Sequence, residues 1–247
     1  MFKSLFGAFR KEESVLPDYS VVGVDMHSHL IPGIDDGAKT IEDSMTLIRE
    51  LSGMGFRKFY TTPHIMSDYF RNTPEIIHQG LETVREAIKA EGIPVEIHAA
   101  AEYYIDDGFV KKLENEKLLT IGANYLLFEI SYINCPDNIE DIIFRMQVQG
   151  YKPIMAHPER YPFWHNNFDQ YRIFRDQGVL LQLNLNSLSG YYGHDAKKIG
   201  EKLVENELVD LVGTDCHHLK HIEGLKRGLK EKSLRKLFES NLLNKHL

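Results

Sequence analysis

The chain has 247 residues, 43% of them hydrophobic, and a formal net charge of −7, which together indicate a globular protein with one large core or two small ones. The negative charge disfavours a nucleic-acid scaffold, because neutralising phosphates needs a basic surface. The two cysteines, Cys135 and Cys216, form no CxxC pair, so neither a disulfide framework nor a zinc ribbon is indicated, and no apolar run approaches the about 20 residues that span a bilayer.

Residues 1–20 predict an amphipathic segment ahead of a single β/α domain at 21–247. The apolar stripe of this segment, at helical spacing, consists of Phe2, Leu5, Phe6 and Phe9. The segment has no continuous apolar stretch and no small-residue cleavage site, so it is not a signal peptide, and we expect a cytoplasmic protein. The stripe either packs on the domain or contacts a membrane surface or a partner.

Apolar β-branched runs alternate with amphipathic helical patterns along the rest of the chain. The strand candidates are 21–25, 58–62, 95–101, 125–130, 153–156, 179–184 and 210–214. The helix candidates are 41–54, 74–90, 138–149, 168–176, 196–207 and 225–238. Continuous apolar runs are typical of parallel strands covered on both faces. No Gly-rich phosphate loop follows the first strand, which favours a β/α barrel over an open Rossmann-type sheet.

Histidines and carboxylates gather where the strand candidates end. The set comprises His27, His29, Asp35 and Asp36 from the end of the first strand and its loop, then His64, Glu102, Glu129 and His157 from the ends of the next four, and Asp215 and His217 from the end of the last. The loops at the carboxyl ends of barrel strands converge, so we expect these side chains to meet. Burying so many ionisable groups is costly unless cations compensate, which predicts a centre with several metal ions.

These motifs resemble the PHP superfamily, named for polymerase and histidinol phosphatase domains. Within it they are most similar to the bacterial manganese-dependent tyrosine-protein phosphatases encoded with capsule and exopolysaccharide genes. The segments that carry the resemblance, in the order of the family, are "DMHSHLIPGIDDG", "TTPH", "AEYY", "FEIS", "AHPERY" and "TDCH", over about residues 21 to 217. The resemblance implies a distorted seven-stranded β/α barrel that holds three divalent metal ions, with Mn²⁺ expected and Fe or Zn also compatible with the ligands.

The resemblance also implies which residues bind each ion. One ion would be held by His27, His29, Glu102 and Asp215. A second would be held by Glu102, Glu129 and His157, and a third by Asp36, His64 and His217. Asp25 would lie behind the histidines and orient them without binding metal.

The hypothesis that follows is metal-dependent hydrolysis of phosphotyrosine on proteins, by hydroxide formed from water whose pKa the ions lower. Arg160, three residues after His157, would contact the phosphate, although it could instead form a surface ion pair with Glu159 or another acid. The family's second phosphate-binding arginine has no counterpart in the stretch "HHLKHIEGLKRG" before its Arg227. His218, His221 or Lys220 would substitute for it, and Tyr103, Tyr104 and Tyr161 would line an aromatic-accepting pocket.

The implied substrate is the tyrosine-rich tail of a bacterial tyrosine kinase that drives polysaccharide export at the inner membrane. A cysteine mechanism is excluded, because the residues six positions after the two cysteines are Asp141 and Ile222 and not arginine. Alternatives are a small-molecule phosphatase such as a histidinol-phosphate phosphatase, a metal-dependent amidohydrolase, and a non-enzymatic metal-stabilised scaffold or kinase-binding module.

Overall fold

The computed structural model describes residues 16 and 18–247, where parallel strands and helices alternate. The strands are β1 (Val24–Asp25), β2 (Lys58–Thr61), β3 (His64–Ile65), β4 (Glu96–Ala99), β5 (Glu102–Tyr104), β6 (Tyr125–Glu129), β7 (Lys152–Ala156), β8 (Leu180–Asn184) and β9 (Leu211–Gly213). The α-helices are α1 (Ile41–Gly53), α2 (Pro74–Glu91), α3 (Asp107–Asn115), α4 (Ile139–Val148), α5 (Asp169–Asp176), α6 (Leu185–Leu188), α7 (His194–Glu205), α8 (Leu219–Gly228) and α9 (Lys232–Glu239). The N-terminal stripe predicted from the sequence lies outside the described residues.

The strands form two parallel sheets in the described part of the chain, with orders β1-β2-β4 and β3-β5-β6-β7-β8-β9. Each predicted strand is present. The second and third are each followed, after a break of two residues, by a short further strand that belongs to the other sheet. The second breaks at Thr62 and Pro63, where proline has no N–H to donate to a ladder. The structure is therefore an α/β fold with parallel sheets, and its ladders do not close into one seven-stranded barrel.

The segments that follow β1 and β9 nevertheless lie side by side. The Asp215 N–H donates to the His27 carbonyl at 2.8 Å, and the His29 N–H donates to the Cys216 carbonyl at 3.0 Å. These hydrogen bonds bring the predicted ligands of the first and last strands together, although the residues are about 190 positions apart in the sequence.

Buried apolar residues support the carboxyl ends of the strands from below. A cluster of fully or largely buried side chains includes Met26, Leu127, Ile154 and Leu211. Leu127 is two positions before Glu129 in β6, so both side chains lie on one face of the sheet. Rigid packing under the strand ends fixes the positions from which the polar side chains project.

The helices follow the sequence pattern with two differences. α1 begins after Thr40, which forms a capping box with Asp43 three residues on. The single helix predicted at 225–238 is wrong: α8 and α9 are separate, because the chain turns where the Glu231 N–H donates to the Gly228 carbonyl. α3 and α6 had not been predicted. No helix in the described residues has the length and apolar character needed to cross a bilayer.

Candidate metal centre

The predicted metal-binding residues meet around one cavity of about 520 Å³. Those that line it are Asp36, His64, Glu102, Glu129, His157, Asp215 and His217. His27 and His29 are fully buried and contact the Glu102 carboxylate, with Nε2 to Oε2 distances of 3.1 and 3.4 Å. The structure therefore brings all nine side chains into one polar cluster.

Within the described residues, three overlapping groups of donor atoms are compact enough to hold a metal ion. Each group has its atoms within 4.8 Å of one another. The groups are His27, His29, Glu102 and Asp215; His29, Asp36, His64 and His217; and His64, Glu102 and Glu129. His157 borders the last group, since its Nε2 is 3.0 Å from Glu102 Oε1 and 3.9 Å from Glu129 Oε2. Glu102 is thus central, with histidines on several sides.

Three of the histidine rings are fixed through Nδ1. His27 Nδ1 lies 2.8 Å from Gln182 Oε1, and His29 Nδ1 lies 2.7 Å from Asp35 Oδ2. His217 Nδ1 lies 2.9 Å from the carbonyl oxygen of Asp215. Because each partner is an acceptor, we assign the proton to Nδ1, which leaves Nε2 of all three rings directed at the centre.

This arrangement fits metal ions. The Nε2 atoms of His27 and His29 are 3.3 Å apart, and Asp215 Oδ1 lies 3.4 and 3.5 Å from them. Imidazole nitrogens and carboxylate oxygens that converge in a buried site are unfavourable unless positive charge compensates them, and a divalent cation supplies that charge. The mixture of imidazole and carboxylate ligands is one that Mn, Fe and Zn accept.

Electrostatics show the same demand for positive charge. Although burial opposes the charged form, the carboxylates of Asp35, Asp215 and Glu102 raise the pKa of His29 well above its ordinary value. Burial likewise opposes it at His64, but Glu102 and then Glu129 raise the pKa of that ring to about 9. Protons therefore occupy these rings in the metal-free protein, and cations would replace them.

The residues that orient the rings were not predicted. Asp25 lies behind His27, but its carboxylate accepts from the Thr214 N–H at 2.9 Å and the Thr214 hydroxyl at 2.6 Å, and not from an imidazole. Gln182 and Asp35 orient the rings instead. The sequence carried a weak signal for both, since Gln182 is polar within an apolar strand and Asp35 is adjacent to Asp36.

Arg160 lines the same cavity and contacts the metal-binding cluster through an ion pair with Asp215. Its Nη1 donates to Asp215 Oδ2 at 2.8 Å. The guanidinium lies between two aromatic rings, 4.1 Å from the ring centroid of Tyr192 and 5.0 Å from that of Tyr132. Of the alternative partners, Glu159 is wrong, because it is fully buried and accepts from the Ser187 hydroxyl at 2.6 Å. The acid that pairs with Arg160 is Asp215 in the cavity.

Local backbone strain occurs at the centre. His157 and Asp215 both adopt positive φ, 35° and 49°, a conformation that non-glycine residues rarely take. His157 begins a 3₁₀ helix, Pro158–Arg160, so its turn places Arg160 beside the ligands. Such strain persists only where surrounding contacts impose it, and it is concentrated at functional sites.

The remaining predicted pocket residues are divided. His218 and Tyr104 line the cavity, but Tyr103 and Tyr161 do not. Both are buried, and their hydroxyl oxygens accept from the Leu119 and Ile130 N–H groups at 2.8 and 3.1 Å. Strand alternation gives the reason for Tyr103, since Glu102 faces the cavity and the next side chain points away, leaving Tyr104 at the cavity wall. Lys220 is exposed in an adjacent groove and does not line the cavity.

Comparison with known sequences gives consistent relatives. The model of the family described as "Capsular polysaccharide synthesis, CpsB/CapC" matches residues 23–237. The tyrosine-protein phosphatase YwqE of Bacillus subtilis is 28% identical over 198 residues, 80% of this chain and 78% of the relative. The tyrosine-protein phosphatase CpsB of Streptococcus pneumoniae is 30% identical over 202 residues, 79% of this chain and 83% of the relative.

Comparison with solved structures agrees with the sequence matches. A chain from the study of YwqE from B. subtilis and CpsB from S. pneumoniae, described as metal-dependent tyrosine phosphatases, superposes with a TM-score of 0.77 and 25% identity, covering 89% of this chain and 96% of the other. A histidinol phosphate phosphatase from Lactococcus lactis gives a TM-score of 0.53 with 13% identity, covering 84% of this chain and 92% of the other. This second likeness shows a shared fold alone.

Proposed function

The chain belongs to the CpsB/CapC family of capsular polysaccharide synthesis, and from this premise we propose that it is a metal-dependent protein phosphatase that hydrolyses phosphotyrosine. The observation that carries the proposal is the cluster of nine imidazole and carboxylate ligands with Arg160 on the wall of the same cavity. Metal-dependent hydrolysis of a phosphate monoester is served by this combination, because bound cations and a guanidinium stabilise the charge that develops on the phosphoryl oxygens.

We propose three metal ions with Mn²⁺ as the native species. His27, His29, Glu102 and Asp215 would hold one ion. Glu102, Glu129 and His157 would hold a second, and Asp36, His64 and His217 would hold a third. Bound divalent ions supply Lewis acidity and lower the pKa of water toward neutrality. The two sheets would then act as the distorted barrel of the PHP proteins, with the ligands at its carboxyl end.

Arg160 would bind the phosphoryl group. Its position between Tyr132 and Tyr192 limits its motion, and the Asp215 carboxylate fixes its direction. A planar guanidinium held in this way presents its remaining N–H groups to phosphate oxygens with little loss of side-chain entropy. His218 and His221 also line the cavity, and they belong to the segment that lacks the family's second arginine.

The mouth of the cavity favours a substrate carried on a polypeptide. Phe70 stacks on the His64 ring with centroids 5.5 Å apart, and Ile133 is 88% exposed at the rim. Exposed apolar groups at an open site suit an aromatic side chain that projects from a protein. We propose that this protein is a bacterial tyrosine kinase of capsule or exopolysaccharide synthesis, and the family's description supports the link to capsular polysaccharide synthesis. We propose that the two meet in the cytoplasm, with the N-terminal stripe as a contact to the membrane.

The test is phosphate release from a phosphotyrosine peptide, a phosphoserine peptide and histidinol phosphate, each in EDTA and after Mn²⁺ is restored. We expect Mn²⁺-dependent release selective for phosphotyrosine. His29→Ala should lower this release by about a hundredfold or more, because it removes a residue that belongs to two of the donor groups. His78→Ala, on the exposed face of α2, is the matched control and should retain activity.

Two further results would bear on the proposal. Preference for histidinol phosphate would move the function to small-molecule metabolism, and release from none of the substrates would favour the scaffold alternative. Iodoacetamide should leave activity unchanged, because Cys216 is buried and burial raises the pKa of Cys135 to about 11.

A further inference from the structure

A groove of about 400 Å³ adjoins the metal centre. His217 and His218 line both the groove and the cavity of the centre, so the two spaces are neighbours. Lys39 and Lys220 both line the groove, and Ala38, Leu47 and Leu219 provide apolar surface. We call this space the flanking groove.

We propose that the flanking groove binds the polypeptide segment next to the phosphotyrosine and selects segments with acidic side chains. The inference rests on the proposed phosphatase function, since it concerns which protein substrates the same centre accepts. A small-molecule phosphate ester would not reach this groove, whereas a peptide has backbone on both sides of its phosphotyrosine. Since an extended chain advances by about 3.3 Å per residue, the first few flanking residues must lie on the walls beside the cavity.

The flanking groove presents two lysine side chains that have no ionic partner in the part of the chain that the structure describes. Lys39 and Lys220 are exposed, and within the described residues neither ammonium group takes part in an ion pair. Lys197 and Lys226, by contrast, are each paired with a glutamate, at 2.8 and 2.6 Å. In a protein of net charge −7, two unpaired lysines that face one groove beside an active centre form a local site for anions.

The acidic residue of the groove, Asp43, is hydrogen-bonded to backbone N–H groups. Asp43 is the carboxylate among the described lining residues, and its Oδ2 accepts from the N–H groups of Lys39 and Thr40 at 3.3 and 3.2 Å. It thereby caps α1 and does not neutralise a lysine side chain. The ammonium groups of the groove therefore remain available to an acidic ligand.

The flanking groove also presents apolar surface. Ala38 and Leu47 are buried beneath the groove, whereas Leu219 is 52% exposed at its edge. An exposed leucine next to two lysines matches an extended segment that alternates apolar and acidic side chains. We therefore commit to an acidic, extended peptide as the occupant.

The experiment compares kcat/KM for phosphotyrosine peptides that carry three Glu residues before or after the phosphotyrosine, with Gln in the same positions as the uncharged match. In the Mn²⁺-loaded wild type we expect a Glu-to-Gln ratio of about three to ten for at least one arrangement. The ratio should fall to near one in Lys39→Ala/Lys220→Ala, and it should shrink at high salt, which screens exposed charges.

Lys230→Ala is the matched control, because this exposed lysine lies beyond the other end of α8, about 15 Å along the helix from Lys220. The control should keep the wild-type ratio. Charge reversal, Lys39→Glu/Lys220→Glu, should make a Lys-flanked peptide the better substrate. The variants exchange exposed side chains that form no ion pairs, and melting temperatures check that they fold.

A wild-type ratio near one for both arrangements would overturn the inference, and so would a ratio that the lysine variants leave unchanged. Either result leaves the phosphatase proposal intact, because the peptides are still hydrolysed. Absence of Mn²⁺-dependent release from every phosphotyrosine peptide would instead refute the proposed function itself.

Discussion

Asp35→Asn tests whether the buried carboxylate next to His29 prepares that ring to bind metal. Asp35 Oδ2 accepts from His29 Nδ1 at 2.7 Å and from the His64 N–H at 3.2 Å, and Oδ1 accepts from the Gly37 N–H at 3.0 Å. The side chain of Asp35 is fully shielded from solvent. Asparagine keeps the shape of this group but removes its charge and offers the ring an amide oxygen at best.

The magnitude follows from the bond that is weakened. A hydrogen bond to a charged group contributes about 1.5–3 kcal/mol, and loss of a partner behind a metal-binding histidine lowers metal affinity by about 10- to 100-fold. His29 belongs to two of the donor groups, so the loss should affect more than one ion. We therefore expect a 10- to 100-fold rise in the Mn²⁺ dissociation constant of Asp35→Asn and fewer ions retained after dialysis.

The assay is calorimetric titration of the metal-free protein with Mn²⁺, accompanied by metal analysis after dialysis. ¹⁵N NMR of the histidine rings would report the tautomer of His29 directly. Asp137→Asn is the control, because this exposed aspartate precedes α4 and does not line the cavity. A folded Asp35→Asn protein whose Mn²⁺ affinity stays within about twofold of wild type would refute the reasoning.

Three more predictions follow from the geometry. In the metal-free protein the pKa of His64 is raised from 6.5 to about 9, so its contribution to stability is complete below pH 6.5 and is lost as pH rises through about 9; thermal melts should show the EDTA-treated protein losing stability over this range more than the Mn²⁺-loaded protein does. Gly213→Ala would place a Cβ 2.5 Å from the Cβ of His27, so we expect a loss of about 1–3 kcal/mol in denaturant unfolding, together with weaker Mn²⁺ binding. Arg160→Lys should raise KM for phosphotyrosine peptides by about tenfold, because a lysine keeps the charge but neither stacks between Tyr132 and Tyr192 nor binds phosphate with two N–H groups; an unchanged KM would exclude Arg160 from phosphate binding.

The position of the candidate centre was predictable because a short local sequence pattern marks it and recurs along the chain. Six of the seven predicted strands are short apolar runs with a histidine or carboxylate at or just after the end, as at His64 and Glu129. Parallel strands present their carboxyl ends at one edge, so placing residues at strand ends was enough to predict that they meet. The capping box at Thr40 was predictable for a similar reason, since its partners are three residues apart.

The strand alternation also held a signal that the sequence prediction did not use. Once Glu102 is assigned to the cavity, period-two alternation directs Tyr103 to the core and Tyr104 to the cavity wall. The interruption at Thr62 and Pro63 could likewise have been suspected from the proline. These are properties of neighbouring residues, which a sequence contains in full.

By itself the sequence determined the family, the parallel α/β class and the residues that gather at the metal centre. Only the tertiary structure decided the partners that fix those residues: Gln182 for His27, Asp35 for His29 and Asp215 for Arg160. It also decided that Lys220 faces a groove beside the cavity and not the cavity itself. The physical reason is that a side chain's partner depends on the three-dimensional path of distant segments, whereas the strand ends from which the side chains project are set by local pattern.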